Sequence, residues 1–271
     1  MKYIIWISLS LIVLGIIYFI GVFVLDNEYF SQPDTNIIFL TQDQAIEFIS
    51  SDPDGYVSRF NQLDYKARNI NSPQDYTNLF VNNVIKPSSR QIALIENAID
   101  QGYKLIAHID SDDKIWLDID KFINLPWKFI IIDSDLTQID FGLSHTRYNT
   151  IVLHSDIIAN TSYFINTLIH EQLHVYQKVY PEDFEKYLIA SNFTRHIKYT
   201  DTSILYRSNP DTDEWIYKCG GEDIYYSEYI LPNPKSICDV RYWPINAYEY
   251  EHPREKSVYN LLQKVKNSFK K

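Results

Sequence analysis

The segment Tyr163–Tyr176 reads Tyr-Phe-Ile-Asn-Thr-Leu-Ile-His-Glu-Gln-Leu-His-Val-Tyr, and its residues 170–174 form the pattern His-Glu-x-x-His. Histidines four positions apart lie on one face of a helix, so both imidazoles can reach the same metal ion. Apart from the histidines, Glu171 is the only charged residue in the segment. Because an unpaired carboxylate in an apolar helix is costly, Glu171 is expected to have a partner or a chemical task.

This pattern predicts one zinc ion held by His170 and His174. Glu171 is offset around the helix, where its carboxylate can meet a water beside the ion instead of the ion itself. Zinc lowers the pKa of such a water towards ~7, and a nearby carboxylate can take its proton as the water attacks a carbonyl. The alternative is a core helix with two hydrogen-bonded histidines and a partly exposed glutamate.

A tetrahedral catalytic zinc site needs a third protein ligand and an open position. Pro253 predicts the start of a terminal helix reaching Phe269, and it places Glu255 in the first turn on a rigid element. We assign Glu255 as the third ligand. Glu249 and Glu251, which precede the helix start, remain alternatives, as does a histidine or aspartate elsewhere. A glutamate in a first helical turn can also simply favour the helix dipole.

The rest of the chain predicts an α+β fold. The region from Thr41 to Gln101 has helical periodicity, beginning with a capping box at Thr41–Gln44. Residues 200–250, rich in Asn, Pro, Asp and Tyr, are expected to be irregular loops over the site. Short β-branched and aromatic runs predict four strands, at Lys104–Ile109, Ile115–Ile119, Lys128–Asp133 and Thr150–His154.

The uncharged run Tyr3–Leu25 predicts a transmembrane helix, since at 1.5 Å per residue it would span ~35 Å. No small-residue cleavage site follows it, which favours an uncleaved signal anchor. Lys2 before the run indicates a cytoplasmic N terminus and a catalytic domain on the lumenal or external side. The expected organisation is an anchor (1–28), a helical N-terminal portion (29–103) and a catalytic domain (104–271).

The composition of the chain limits the kinds of ligand that it can be expected to bind. The formal net charge of −10 argues against nucleic acid as a partner, because phosphate binding needs a basic surface. With only 7 glycines, the chain contains no glycine-rich phosphate loop. Cys219 and Cys238 could form a disulfide in an oxidising compartment or remain two buried thiols, and both alternatives stay open.

With the motif at residues 170–174 and Glu255 on a later helix, the sequence resembles the zincin metallopeptidases, specifically the gluzincin branch. It looks most like membrane-anchored members of that kind encoded by large DNA viruses. The resemblance implies a small mixed sheet, a central motif helix, a C-terminal ligand helix and hydrolysis of a peptide or protein substrate. It also has a departure: many gluzincins carry an aspartate four residues after the glutamate ligand, where this chain has Tyr259.

The resemblance further implies an edge strand before the motif helix that pairs with extended substrate, and Thr150–Leu153 lies in that position. His145 and Arg147 are candidate substrate-binding residues that would stabilise the developing oxyanion. As an alternative, both are strand-end residues that pair with carboxylates.

Three functions are compatible with these observations. The first is a zinc metallopeptidase in which Glu171 activates the attacking water. The second is a membrane-tethered zincin-fold binding or structural protein without turnover. The third is a zinc hydrolase acting on a substrate other than a peptide.

Overall fold

Eight α-helices and nine β-strands make up the part of the chain that the structure, a computed structural model, describes: residues 36–107, 116–133, 140–221, 223–245 and 250–268. The helices are α1 (Gln42–Ser51), α2 (Gln62–Ala67), α3 (Pro73–Asn82), α4 (Ser89–Ala107), α5 (Ile119–Ile123), α6 (Ser162–Val179), α7 (Pro181–Ala190) and α8 (Pro253–Ser268). The strands are β1 (Ile37–Phe39), β2 (Val84–Ile85), β3 (Trp127–Ile132), β4 (His145–Arg147), β5 (Thr150–His154), β6 (Phe193–Lys198), β7 (Trp215–Cys219), β8 (Asp223–Tyr229) and β9 (Val240–Trp243).

The helices of the N-terminal region begin where local side chains satisfy free backbone N–H groups. The capping box predicted at Thr41 is confirmed, because the Thr41 hydroxyl accepts from the Gln44 N–H and the Gln44 side chain accepts from the Thr41 N–H. Helix α3 begins at Pro73, with Ser72 as its N-cap. Local sequence chemistry thus accounts for these helix starts.

The first sheet has the order β1-β3-β5-β4, with the short strand β2 also paired to β3. Strands β1, β3 and β5 are parallel, whereas β4 pairs antiparallel with β5. The strands predicted at Lys128–Asp133 and Thr150–His154 are confirmed as β3 and β5. Apart from the half-buried Lys128, both are buried on their two faces, as expected for the apolar runs Phe129–Ile132 and Ile151–Leu153 at their centres.

The two faces of this sheet pack into two cores. Phe129 and Ile131 of β3 face a core shared with α4, α6 and α8, whereas Ile130 and Ile132 face a second core with α1 and α3. This alternation follows from the two-residue period of a strand. Helices α1 and α3 therefore cover one face of the sheet, and the motif helix α6 covers the other. The domain boundary predicted between residues 103 and 104 falls inside α4.

The strand predicted at Lys104–Ile109 is wrong over its described part, because residues 104–107 are the last turn of α4. Tyr103 and Ile106 extend the buried stripe of that helix, and Gly102 lies so close to α6 that an added Cβ would meet Ile169 at 2.3 Å. Residues 108–115 lie outside the described part. The strand predicted at Ile115–Ile119 is also wrong where it is described, since Ile119 begins α5.

A second sheet replaces much of the irregular region predicted for residues 200–250. Its four antiparallel strands have the order β6-β7-β8-β9. Along β8, Tyr225, Ser227 and Tyr229 are buried and alternate with more exposed residues. The turn-forming residues of this region join short tyrosine-rich strands. Cys219 and Cys238 are free, so the disulfide is not formed, and the alternative of two buried thiols is also wrong, because Cys219 is half-buried and Cys238 is exposed.

One finding corrects three predictions: the transmembrane helix in the fold class, the single-pass membrane location, and the lumenal or external position of the catalytic domain. Within the described residues, no helix is both long and apolar enough to cross a bilayer. The longest of them, α4, carries Arg90, Glu96 and Asp100 and buries one face in the protein core. The predicted span, Tyr3–Leu25, lies outside the described residues.

A buried polar network ties the N-terminal helices to the loop before β4. Asp140 is buried, and its Oδ1 accepts hydrogen bonds from Arg68 Nε at 2.8 Å and from the Tyr56 hydroxyl at 3.1 Å. The Tyr76 hydroxyl donates to the other carboxylate oxygen at 2.6 Å. Burial alone would raise the pKa of Asp140, but the Arg68 charge and these hydrogen bonds lower it below its ordinary value.

Asp140→Asn should lower the free energy of unfolding by about 3 kcal/mol at neutral pH, since it leaves the buried Arg68 without one of its carboxylates. The folded-state pKa of Asp140 is depressed, so its stabilisation is present above the unfolded pKa of ~4 and is lost as the pH falls below that value. Urea unfolding between pH 7 and pH 3 tests this, with the exposed Asp223→Asn as control. Equal stability of the two variants at pH 7 would contradict the assignment.

Candidate metal centre

Helix α6 carries the motif because one side of it is fixed in the core. Thr161 caps its N terminus by accepting from the Phe164 N–H, and Leu168 and Leu173 are fully buried against the first sheet and its neighbouring helices. The motif histidines lie on the side that meets α8. The apolar face thereby sets the rotation of the helix and the direction of both imidazoles.

The structure brings His170, His174 and Glu255 together. The two Nε2 atoms are 3.0 Å apart, and Glu255 Oε2 lies 3.4 Å from each of them. As the sequence predicted, α8 begins at Pro253 and places Glu255 in its first turn. Of the described residues, these three form the one group of His, Cys, Asp or Glu side chains arranged to hold a metal ion.

The surroundings of His174 fit a metal ligand. Its Nδ1 lies 3.0 Å from Gln177 Oε1, while Gln177 Nε2 donates to Ser257 Oγ and to the Arg254 carbonyl. Because the amide oxygen therefore faces the ring, Nδ1 carries the proton and the lone pair of Nε2 points at Glu255 and His170. Two imidazole nitrogens and one carboxylate oxygen are a donor set that suits zinc with one position open.

The carboxylate of Glu255 is ionised and oriented. Burial would raise its pKa, but the adjacent His174 and His170 lower it well below the ordinary value. Asn209 Nδ2 donates to Oε1 of Glu255 at 3.3 Å, leaving Oε2 to face the histidines. Asn209 thus holds Oε1 of Glu255, and Oε2 faces the two imidazoles.

The alternative ligand Glu251 has other partners. Its Oε1 accepts from Arg207 in an ion pair and from Asn209 Nδ2 at 2.9 Å, and the side chain is buried. Glu249 lies outside the described residues. Glu251 therefore helps to hold Asn209, which in turn holds Glu255.

Glu171 lies beside the three ligands and is buried. The Thr146 hydroxyl donates to Glu171 Oε2 at 3.1 Å and lies 3.0 Å from the Glu171 carbonyl oxygen. Burial raises the pKa of Glu171 well above its ordinary value, and the negative charges of Asp211 and Glu255 raise it further. The carboxylate is held by β4 through Oε2, and Oε1 remains for another donor.

The sheet edge beside the site is β4, so the prediction that Thr150–Leu153 forms the edge is wrong. A tight turn at Tyr148, which has a positive φ of 48°, joins β4 and β5 as an antiparallel hairpin, so that β4 lies outside β5 at the edge of the sheet. The outward polar groups of β4 are occupied: Thr146 N–H donates to Asp211 Oδ1 at 2.6 Å, and Lys178 Nζ donates to the Thr146 carbonyl at 2.7 Å. Side chains of the protein therefore take the positions that a paired substrate strand would use.

The two candidate substrate-binding residues are placed differently. Arg147 is fully buried and forms ion pairs with Asp52 at 2.6 Å and Asp54 at 2.9 Å, outside the cleft at the metal centre. His145 lines that cleft together with His170 and Glu171. Its Nδ1 is 3.1 Å from the Leu143 carbonyl, and its buried Nε2 has no hydrogen-bond partner among the described residues.

Two cavities meet at the metal centre and share Leu143, Ser144, His170 and Glu171 as lining residues. The first, which we call the polar cavity, has a volume of about 220 Å³. Its described lining includes two buried ion pairs, Arg68–Asp140 and Arg207–Glu251. The second has a volume of about 360 Å³. We call it the neutral groove and define it by Leu143, Ile157, Tyr163, Thr167, Leu262 and Gln263.

Gln177 and Asn209 are site residues that the sequence analysis missed. Gln177 had a detectable signal, since it lies three residues after His174 on the same helical face and is fully buried in the structure. Asn209 had none, because an Asn-Pro-Asp turn is ordinary loop chemistry.

No family model matches this chain, and neither the curated proteins nor the solved structures contain a match to it.

Gln177→Met should weaken zinc binding by about 10- to 100-fold, because His174 loses the acceptor that fixes its tautomer and ring orientation. Competition with a chromophoric chelator measures this affinity. Gln172→Met is the matched control: Gln172 is an equally buried glutamine on α6 whose amide donates to the Leu125 carbonyl. An equal loss of affinity in both variants would show that helix packing, and not the His174 contact, is responsible.

Proposed function

We propose that this protein is a zinc-dependent hydrolase that cleaves peptide bonds. The observation that carries the proposal is the convergence of His170, His174 and Glu255 within 3.0–3.4 Å, with the buried carboxylate of Glu171 beside them. The likeness to gluzincins in the sequence agrees with this arrangement, because the motif helix and the later glutamate helix pack together in the structure.

His170, His174 and Glu255 would hold the ion, and neighbouring residues of the chain would act on the water and the substrate. Bound zinc would supply Lewis acidity and acidify a water. Glu171 is the group that takes the proton of the attacking water and passes it to the leaving amine. Thr146 holds Glu171 Oε2 through its hydroxyl, so Oε1 is the oxygen that accepts the proton.

The position of Glu171 suits a base. A buried carboxylate with a raised pKa binds a proton more strongly than one in water. Its place in the sequence next to His170 puts it beside the ligands without making it one of them. These features support general base catalysis over a purely structural carboxylate.

A linear substrate fits the cleft better than a compact one. The polar cavity and the neutral groove meet at shared residues that include His170 and Glu171, and they are otherwise lined by different residues. A chain that crosses the centre can therefore place one residue on each side of the bond that is cleaved. This two-sided shape supports a peptide over a small single-group substrate.

Glu171→Gln should retain zinc and lose hydrolysis by at least about 10²-fold, since glutamine is nearly isosteric but accepts no proton. His170→Ala should lose the metal and the activity together, because a ligand is missing. Metal analysis and cleavage of a quenched-fluorescence peptide library, with and without chelator, measure both properties.

Glu96→Gln, an exposed substitution of the same kind on α4, is the control and should behave like the wild type. Near-full hydrolysis by Glu171→Gln, of a peptide that the wild type cleaves, would rule out Glu171 as the base. A purified protein that takes up no zinc would rule out the proposed function as a whole.

A further inference from the structure

One turn of the chain, Asn209–Asp211, contacts two parts of the metal centre at once. On one side, Asn209 Nδ2 donates to Oε1 of Glu255, the third candidate ligand, at 3.3 Å. On the other side, Asp211 Oδ1 accepts the N–H of Thr146 in β4 at 2.6 Å. We call this segment the bridging turn, because it joins the ligand on α8 to the sheet edge.

The bridging turn is internally fixed. The Asp211 N–H donates to Asn209 Oδ1 at 2.9 Å, so the last residue of the turn is bonded to the side chain of the first. Pro210 lies between them and has a restricted φ, and both Pro210 and Asp211 are buried. A movement of Asn209 therefore moves Asp211 as well.

Lys178 holds the bridging turn against β4. Its side chain is 9% exposed, and Nζ donates to the Pro210 carbonyl at 2.6 Å and to the Thr146 carbonyl at 2.7 Å. Lys178 lies one helical turn after His174, so the helix that carries two candidate ligands also holds both sides of this contact. Because a buried donor without an acceptor is costly, the turn and β4 separate only when several bonds break together.

The same contact positions the candidate base. The Thr146 hydroxyl donates to Glu171 Oε2 at 3.1 Å, while the N–H and carbonyl of Thr146 are held by the bridging turn and by Lys178. The position of the Thr146 side chain thus depends on the closed edge. One hydrogen-bonded path runs through Glu255, Asn209, Asp211, Thr146 and Glu171.

We propose that the bridging turn couples zinc binding at Glu255 to closure of the β4 edge and to the positioning of Glu171. This inference rests on the proposed function and adds a conformational device to it. When Glu255 is held by an ion, Asn209 and Asp211 lose freedom to move, so Thr146 is held more tightly. By thermodynamic linkage the effect is reciprocal, and loosening the turn must weaken zinc binding.

Amide hydrogen exchange of the full chain, followed by NMR with and without zinc, measures closure of the edge independently of turnover. Zinc should slow exchange of the Thr146 N–H by at least about fivefold. The Tyr148 N–H is the matched control, because it lies on the same hairpin and donates to a carboxylate outside the bridging turn, that of Asp54. Its exchange should slow by a much smaller factor, since the expected effect is a local closure and not a general gain in stability.

Pro210→Gly tests the reciprocal effect. It loosens the bridging turn and keeps every hydrogen-bonding group, because Pro210 contributes only its carbonyl oxygen. Zinc affinity, measured by competition with a chromophoric chelator, should fall about two- to fivefold although no ligand is changed. Pro232→Gly, at an exposed proline in the loop between β8 and β9, is the control and should bind zinc like the wild type.

The outcomes separate this inference from the function on which it rests. Equal slowing of the Thr146 and Tyr148 amides, or unchanged zinc affinity in Pro210→Gly, would overturn the coupling, while zinc-dependent peptide cleavage would still stand. If the purified protein takes up no zinc, both proposals are contradicted. Thermal unfolding verifies that each variant is folded, and the exchange measurement on the wild type decides the question even if Pro210→Gly is not.

Discussion

The packing of α6 (Ser162–Val179) against the first sheet is the constraint on which the rest of the site depends. Its apolar residues bury against the face of β3 and β5 that also holds α4 and α8. That burial sets the rotation of the helix, and the rotation directs His170 and His174 towards Glu255. Gly102 of α4 packs closely against Ile169 of α6, and this contact restricts rotation of α6 about its axis. The packing of the core thus fixes the relative positions of His170, His174 and Glu255.

The second constraint is electrostatic. Burial raises the pKa of Glu171, and the nearby negative charges of Asp211 and Glu255 raise it further. Arg207, which also lines the polar cavity, is paired with Glu251. A cation between the imidazoles and Glu255 would relieve this repulsion, because opposite charge within a few ångströms favours the ionised carboxylate. The three candidate ligands therefore form a site in which a metal cation would balance the local negative charge.

Much of this site could be predicted from the sequence, since short-range rules decide it. The four-residue spacing of His170 and His174 needs only a helix, and the place of Glu255 needs only the helix start that Pro253 provides. The second sheet was missed because its strands are short and lie among turn-forming residues. The edge strand was misplaced because the turn at Tyr148 has a positive φ without glycine, which no local pattern announces. The transmembrane prediction rested on the length and the lack of charge of Tyr3–Leu25, which lies outside the described residues, and none of the described helices is long and apolar enough to cross a bilayer.

The closed edge at β4 changes how a substrate can be recognised. In a cleft whose edge strand is free, backbone hydrogen bonds hold any extended chain, and side chains add selectivity. Here Asp211 and Lys178 satisfy Thr146, and Asp54 accepts the N–H of Tyr148, so pairing along β4 would require breaking bonds that are already made. Since a buried polar group left without its partner is costly, the closed edge is the more stable arrangement.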